Sequence, residues 1–302
     1  MDTDAALVAR IVDGCGLPAG PVSELVGLGS VNRVFVVGSP GSRFVVRIAI
    51  DPLRAEEFTT EDWCLRRAAA AGILSPEPLA HGVLDGAAFG VQRYVEHLPH
   101  ERTDRRAVWR ELGRYARCVN QLTVTDDAPS GLFSRFGRDL PTAWRAHLEY
   151  SLGELNRADP LVTLGVYGPA ERRRLRQAIS SLGETELSFG LSHGDLAPRN
   201  ALRRADGSLV LIDWGSASCG PVPYTDLLVL QRPDDLAGPN AGDLAAFAAG
   251  YGIELGDLDE TLAAIRVLSA LDLVRWALER RPDRLTELGA AAREVLARPP
   301  GG

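Results

Sequence analysis

Lysine is missing from all 302 residues, so the 33 basic side chains are arginines, and 40 acidic ones leave a net charge of −7. That balance repels a polyanion such as nucleic acid, and it leaves every cationic task to a guanidinium fork, not an ammonium point charge. Cysteine is scarce. Cys15, Cys64, Cys118 and Cys219 are scattered without C-x-x-C spacing, which excludes a zinc site or disulfide framework and points to a reducing cytoplasm. No apolar run is long enough to span a membrane, and acidic residues precede the first apolar stretch at the N-terminus, so neither an anchor nor a secretory leader is expected. Repeats and low-complexity tracts are absent too. What remains is the ordinary composition of a soluble globular chain, longer than one hydrophobic core usually supports.

The most informative stretch is His193-Gly194-Asp195-Leu196-Ala197-Pro198-Arg199-Asn200, followed by Ile212-Asp213-Trp214-Gly215. Two carboxylates and one carboxamide at this spacing suit phosphoryl transfer. One Asp takes the proton of an attacking hydroxyl, while an Asn five residues on and an Asp on the next strand hold magnesium. Asp195 fits the first role; Asn200 and Asp213 fit the second. Leu209 to Ile212 is an apolar run between Asp206-Gly207-Ser208 and Gly215, so it reads as a buried strand. Ala201 and Leu202 begin its partner, and the hairpin would bring Asn200 and Asp213 together.

These residues resemble the H-G-D-x-x-x-x-N and I-D-W/F motif of the aminoglycoside phosphotransferase and choline kinase family. Pro223-Tyr224-Thr225-Asp226-Leu227 resembles the end of that family's G-D-P-x-x-D-L segment, with Pro221-Val222 where Gly-Asp is common. The resemblance implies a bilobal, protein-kinase-like α/β (α+β) fold. Its N-terminal lobe would be a five-stranded antiparallel sheet with one long helix, and its C-terminal lobe larger and mostly helical. It also implies ATP or GTP as donor, Mg2+ as cofactor and a small-molecule hydroxyl as acceptor. His193 would orient the catalytic loop, and Asp226 would give structural support.

For the nucleotide half, Val22 to Leu28 and Val34 to Val37 read as strands around a turn whose Gly29 and Ser30 have room for phosphates, although glycine in a hairpin also serves simply to turn the chain. The third strand, Phe44 to Ala49, carries Arg47 where a cation grips phosphates and a helix carboxylate. The helix predicted over Arg54 to Ala71 offers Glu56, Glu57, Glu61 and Asp62. The choice of Glu61 follows the family order Glu61, Leu65, Gly72, Pro76, Pro78. Leu79 to Leu84 and Phe89 to Val95, split by Asp85-Gly86, read as a hairpin that completes the sheet. Strand period gives way to helix period near Tyr94 to Glu96, ahead of helices predicted over 105–122, 140–155 and 170–182. The lobes would therefore be 1–96 and 97–302, and in kinases of this shape the hinge backbone, here Arg93, Tyr94 and Val95, contacts the adenine.

From Asp226 onward thirteen acidic residues face eight arginines, whereas residues 97–225 hold fifteen against seventeen. Such an acidic region can hold a polycationic acceptor, with Asp234, Asp235, Asp272 and Trp276 as contacts, or can simply keep helices soluble. The family resemblance makes an aminoglycoside-type or other cationic antibiotic the leading acceptor. A metabolic kinase acting on a sugar, amino alcohol or homoserine-like alcohol stays open, as does a nucleotide-binding pseudokinase, which the missing lysine suggests. No nucleic-acid or membrane partner is expected.

Overall fold

The computed structural model describes residues 3–25, 32–49, 51, 54–99, 104–230 and 239–297. Its N-terminal part is a five-stranded antiparallel sheet built from β1 (Val22–Glu24), β2 (Asn32–Val37), β3 (Phe44–Ala49), β4 (Pro78–Leu84) and β5 (Ala87–Arg93), in the order β1-β2-β3-β5-β4. Alternation decides the two faces. Phe44, Val46 and Ile48 are buried on one face with Phe35, Val37, Phe89 and Val91, while Val45 and Arg47 point to the other. Asp85 and Gly86 both take positive φ, 50° and 79°, in the two-residue loop between β4 and β5, as a type I′ hairpin requires.

Two helices complete this lobe. The expected one, α2 (Ala55–Ala70), stops before Gly72, whose φ is +78°. The other, α1 (Thr3–Gly14), is an addition to the expected single helix. Its Val8, Ile11 and Val12 seal the outer face of the sheet, and their i, i+3, i+4 spacing is the signal for it. The strand expected to reach Leu28 ends at Glu24, with the Leu25 N–H still donating to Val34 O; Gly29 and Ser30 lie outside the described residues.

The C-terminal part is mainly helical: α3 (Arg105–Asn120), α4 (Leu140–Glu154), α5 (Pro160–Thr163), α6 (Arg172–Glu184), α7 (Tyr224–Leu230), α8 (Ala241–Tyr251), α9 (Asp259–Arg280) and α10 (Leu285–Ala297). Two small hairpins are set into it, β6 (Ser188–Ser192) with β9 (Ser218–Val222), and β7 (Ala201–Arg203) with β8 (Leu209–Leu211). The α3 and α8 helices pack at glycine contacts, since a Cβ on Gly113 would strike Phe247 O and one on Gly250 would strike Arg110 O. Among the described residues no helix is long and apolar enough to cross a membrane.

The large core contains Trp109, Leu211, Trp214, Phe247 and Leu271, and it also takes in Trp63, Cys64, Leu65 and Ala68 of α2. That helix is thus anchored in the C-terminal core while it lies against β4 and β5, so Glu61 is fixed relative to the two small hairpins. The segment after β5 is tied down as well, with Leu98 N–H donating to Arg203 O at 2.7 Å.

Candidate active site

The catalytic loop leaves β6 at Ser192 and turns at Gly194, whose φ is +78° and where any Cβ would collide with Ser216 O. Only glycine satisfies both conditions. His193 before it is fully buried. Its Nε2–H donates to Ile212 O at 3.1 Å, and its Nδ1 accepts from the Asp195 N–H at 3.3 Å. Burial lowers its pKa to about 4, so the ring is neutral and this tautomer locks the loop to the end of β8. Asp226 is equally buried and accepts from the Gly194 N–H at 3.0 Å. Asn120 crosses behind, its Nδ2 donating to Leu191 O at 2.8 Å and to Asp226 Oδ2 at 3.5 Å, while its Oδ1 accepts from the Tyr251 hydroxyl at 2.8 Å. Burial pushes the Asp226 carboxyl up to about 6, against the pull of these donors.

The two shifts have opposite consequences for stability. The His193 contribution is present above its ordinary pKa near 6.5 and is lost as pH falls toward 4. The Asp226 contribution is present below its ordinary 3.8 and is lost as pH rises through 6. Each amounts to about 3 kcal/mol, so between them they nearly cancel. His193→Gln should therefore give a protein whose urea midpoint falls from pH 4 to 6, and Asp226→Asn one whose midpoint rises over that range. Identical slopes in both variants would contradict the assignment.

Asp195, Asn200 and Asp213 converge. Asn200 Nδ2 donates to both Asp195 O and Asp195 Oδ2, each at 2.8 Å. Its backbone O accepts from the Ile212 N–H at 2.9 Å, across the Ala201–Leu211 pair of the hairpin, which sets Asp213 next to it. Asp213 adopts the left-handed conformation, φ 63° and ψ 63°, an unusual state for a residue with a side chain. Arg47 NH1 donates to Asp213 Oδ1 at 3.2 Å, while its NH2 forms an ion pair with Glu61. Glu61 in turn accepts from the Trp214 N–H at 3.4 Å. One guanidinium thus ties the third strand, the long helix and the Asp213 turn. Burial lowers its pKa, and Asp213 pulls it back up. The Phe58 ring lies 5.6 Å from it, in space available because Gly90 faces Arg47 in register and a Cβ there would come within 2.7 Å of that ring.

The donor set fits a hard cation. Because Asn200 turns its nitrogen to Asp195, its Oδ1 faces elsewhere, and Asp213 Oδ2 has no partner among the described residues. Two such oxygens suit a cation that keeps most ligands as water or phosphate oxygen. Among the described residues no group of three or more His, Cys, Asp or Glu could hold a metal alone.

Above Arg47 the half-buried Val34, Val36 and Val45 form an apolar ceiling on the cleft face of the sheet, with Val36 opposite Val45 and Val34 opposite Arg47. These valines were not singled out from the sequence, although their alternation with buried neighbours marks them. At the expected hinge, Arg93 N–H donates to Glu77 O at 2.8 Å and Tyr94 N–H to Arg43 O at 3.1 Å. Of the three residues only Val95 keeps an uncommitted N–H, its O accepting from His97 at 2.9 Å.

Two further residues stand beside Asp195 without having been expected there. Arg199 NH2 pairs with Asp195 Oδ1 at 2.5 Å. Trp109, from α3, lines a pocket of about 130 Å³ beside Asp195, together with Leu196, Val229, Leu230, Arg105 and Arg199. Of the expected acceptor contacts, Asp234 and Asp235 lie outside the described residues. Asp272, expected to face a cleft on its apolar helix, meets His147 Nε2 at 2.7 Å, in a ring cluster where His147 stacks on Phe136 and sits edge-on to Trp144, and its side chain keeps 33% exposure. Neither it nor the half-exposed Trp276 lines the pocket at Asp195.

Comparison with solved structures extends these observations to whole chains. The complex of APH(2")-IIia with GDP and kanamycin aligns at 17% identity over 97% of this chain and 98% of its own, with a TM-score of 0.65. The macrolide 2'-phosphotransferase MphH from Brachybacterium faecium aligns at 20% identity over 96% and 97%, TM-score 0.63. Choline kinase LicA from Streptococcus pneumoniae aligns at 16% identity over 97% and 99%, TM-score 0.59. At such identities the fold is what is shared, and it is the kinase-like fold expected. A search of curated proteins finds no sequence match. The sequence model of the phosphotransferase enzyme family, APH, matches residues 23–268, taking in the sheet, the catalytic loop and most of the helices. The resemblance read from His193 to Asp226 is thereby borne out, and the chain belongs to the phosphotransferase enzyme family.

Proposed function

We propose that this chain transfers the γ-phosphoryl group of ATP or GTP, with Mg2+, to a hydroxyl of a small molecule. The observation that carries the reading is the junction of Asp195 with Asn200 and of Asp213 with Arg47, at distances between 2.8 and 3.2 Å, on the two sides of one short hairpin. Solved relatives hold ADP, GDP or AMP, which supports nucleotide use. With all four cysteines free, we assign the enzyme to the cytoplasm, and we place the division between lobes at 96/97.

Asp195 would orient the acceptor hydroxyl and take its proton as the new O–P bond forms and the bond to the β,γ-bridging oxygen breaks, its electrons leaving on the nucleoside diphosphate. Arg47, steadied by Glu61, would hold the α and β phosphates, and the valine ceiling would take the base, with Val95 N–H as the hinge donor. Asn200 Oδ1 and Asp213 would hold magnesium, whose bound charge neutralises phosphate oxygens. Gly29 and Ser30 are proposed phosphate contacts on sequence alone. Against the pseudokinase reading, Arg47 pairs with both Glu61 and Asp213, which supports a working phosphate grip without lysine.

Among antibiotic acceptors, the neighbours include a kanamycin-bound enzyme and a macrolide 2'-phosphotransferase. Incubating the protein with γ-labelled ATP or GTP, Mg2+ and a panel of antibiotics, sugars, amino alcohols and hydroxy acids tests the reading. Label should pass to one acceptor class; label remaining on nucleotide throughout would oppose it.

A further inference from the structure

Resting on the reading above, we propose that Arg199 is a second cationic contact of the transferred phosphoryl group, carried by the catalytic loop itself and joined to Asp195. Pro198, Arg199 and Asn200 form one tight helical turn, closed by the Asn200 N–H donating to Ala197 O at 2.9 Å. Two consecutive side chains of that turn reach back to one carboxylate. Arg199 NH2 donates to Asp195 Oδ1 at 2.5 Å, and Asn200 Nδ2 donates to Asp195 Oδ2 at 2.8 Å. Asn200 is buried and also bonded to Asp195 O, whereas the Arg199 side chain is 57% exposed. An exposed ion pair four residues apart adds little to stability, so its effect falls on the chemistry of Asp195.

That chemistry sets where the phosphorus must come. An acceptor oxygen stands within about 3.2 Å of the base that takes its proton and within about 3.5 Å of the atom it attacks. The phosphorus is therefore no more than about 7 Å from the Asp195 oxygen in use, within the swing of an arginine already bonded to that carboxylate. The guanidinium fork carries several donors and matches phosphate geometry, so it can face Asp195 and a phosphoryl oxygen together. As the acceptor proton passes to Asp195, the carboxylate becomes neutral, the new O–P bond forms, and the β,γ-bridging oxygen leaves with its electrons on the diphosphate. Arg199 thus loses its anion as charge spreads over the equatorial oxygens of the phosphoryl group, which can take that place. Arg47 is tied to Glu61 and Asp213. Arg105, the other described arginine beside Asp195, is bonded to Asp243 at 2.8 Å. With lysine absent from the chain, the cation here has to be an arginine.

The test uses the whole chain with Mg·ADP and aluminium fluoride, which together mimic the planar phosphoryl group with water in the acceptor's place. Calorimetry should show ADP held at least about 10²-fold more tightly when fluoroaluminate is added. In Arg199→Met that gain should shrink at least about tenfold, while Mg·ADP affinity and the thermal midpoint stay as they are, and Arg199→Lys should recover part of it. An undiminished gain in Arg199→Met, or no gain in a natural chain that binds Mg·ADP, overturns the proposal. In an Asp195→Asn background, where no carboxylate is left to orient, Arg199→Met should still cost the same factor. A loss confined to chains with Asp195 would make Arg199 a positioning residue for that carboxylate and overturns the direct contact. Failure of the natural chain to bind Mg·ADP at all would instead strike the phosphotransferase reading itself.

Discussion

Asp195→Asn should lower turnover by about 10²- to 10⁴-fold, the range for loss of a general base, while the affinity for Mg·ATP stays nearly constant. The substitution preserves shape. Its carbonyl end can still accept from Asn200 Nδ2, but the amide cannot take a proton from the acceptor. Nucleotide affinity is spared because, among the described residues, Arg47, Glu61 and Asp213 form no hydrogen bond or ion pair with Asp195. Steady-state kinetics with any accepted alcohol, set beside calorimetry of nucleotide binding, separates the two effects. Normal turnover in the variant would refute the assignment of Asp195.

A second large effect is expected at the buried ion pair. Side-chain exposures of 11% for Arg47 and 5% for Glu61 mean that Arg47→Met leaves a carboxylate in the interior without its cation. Breaking such a pair costs about 3–5 kcal/mol, whereas replacing both partners with hydrocarbon of similar volume is often neutral. The double variant Arg47→Met, Glu61→Leu should therefore regain most of the stability lost by Arg47→Met. It should not regain nucleotide binding, because the guanidinium that joins β3, α2 and the Asp213 turn is gone. Denaturant unfolding and calorimetry on the same preparations distinguish the structural role from the binding one. A double variant that binds nucleotide normally would show that phosphate is gripped elsewhere.

What could be read from the sequence was what depends on neighbours along the chain. The His193 to Asn200 run and Asp213 are joined by one short hairpin, so spacing alone predicted their meeting. Arg47 followed from the cation that phosphoryl transfer places on a third strand, and the Asp85-Gly86 hairpin from its turn chemistry. The α1 helix was legible too, in the spacing of Val8, Ile11 and Val12, but its burial depends on an outer sheet face that only the assembled strands define. Other features have no local signature. Asn120 reaches Leu191 and Asp226 across separations of 71 and 106 residues, and Trp109 meets the catalytic loop only because α3 packs beneath it. The contact of Asp272 with His147 has no local signature either, since 125 residues separate the two. Charge counted by region could not tell which carboxylates were already paired, as Asp243 is with Arg105.

The measurement that most directly tests the convergence of Asp195, Asn200 and Asp213 on one cation and one nucleotide is ATP binding by calorimetry with and without Mg2+. It should be made on the natural chain and on the double variant Asn200→Ala, Asp213→Asn. The natural chain should bind more tightly when Mg2+ is present, and the variant should lose that gain while still binding metal-free nucleotide through Arg47. An undiminished Mg2+-dependent gain in the variant would show that the two oxygens do not hold the ion.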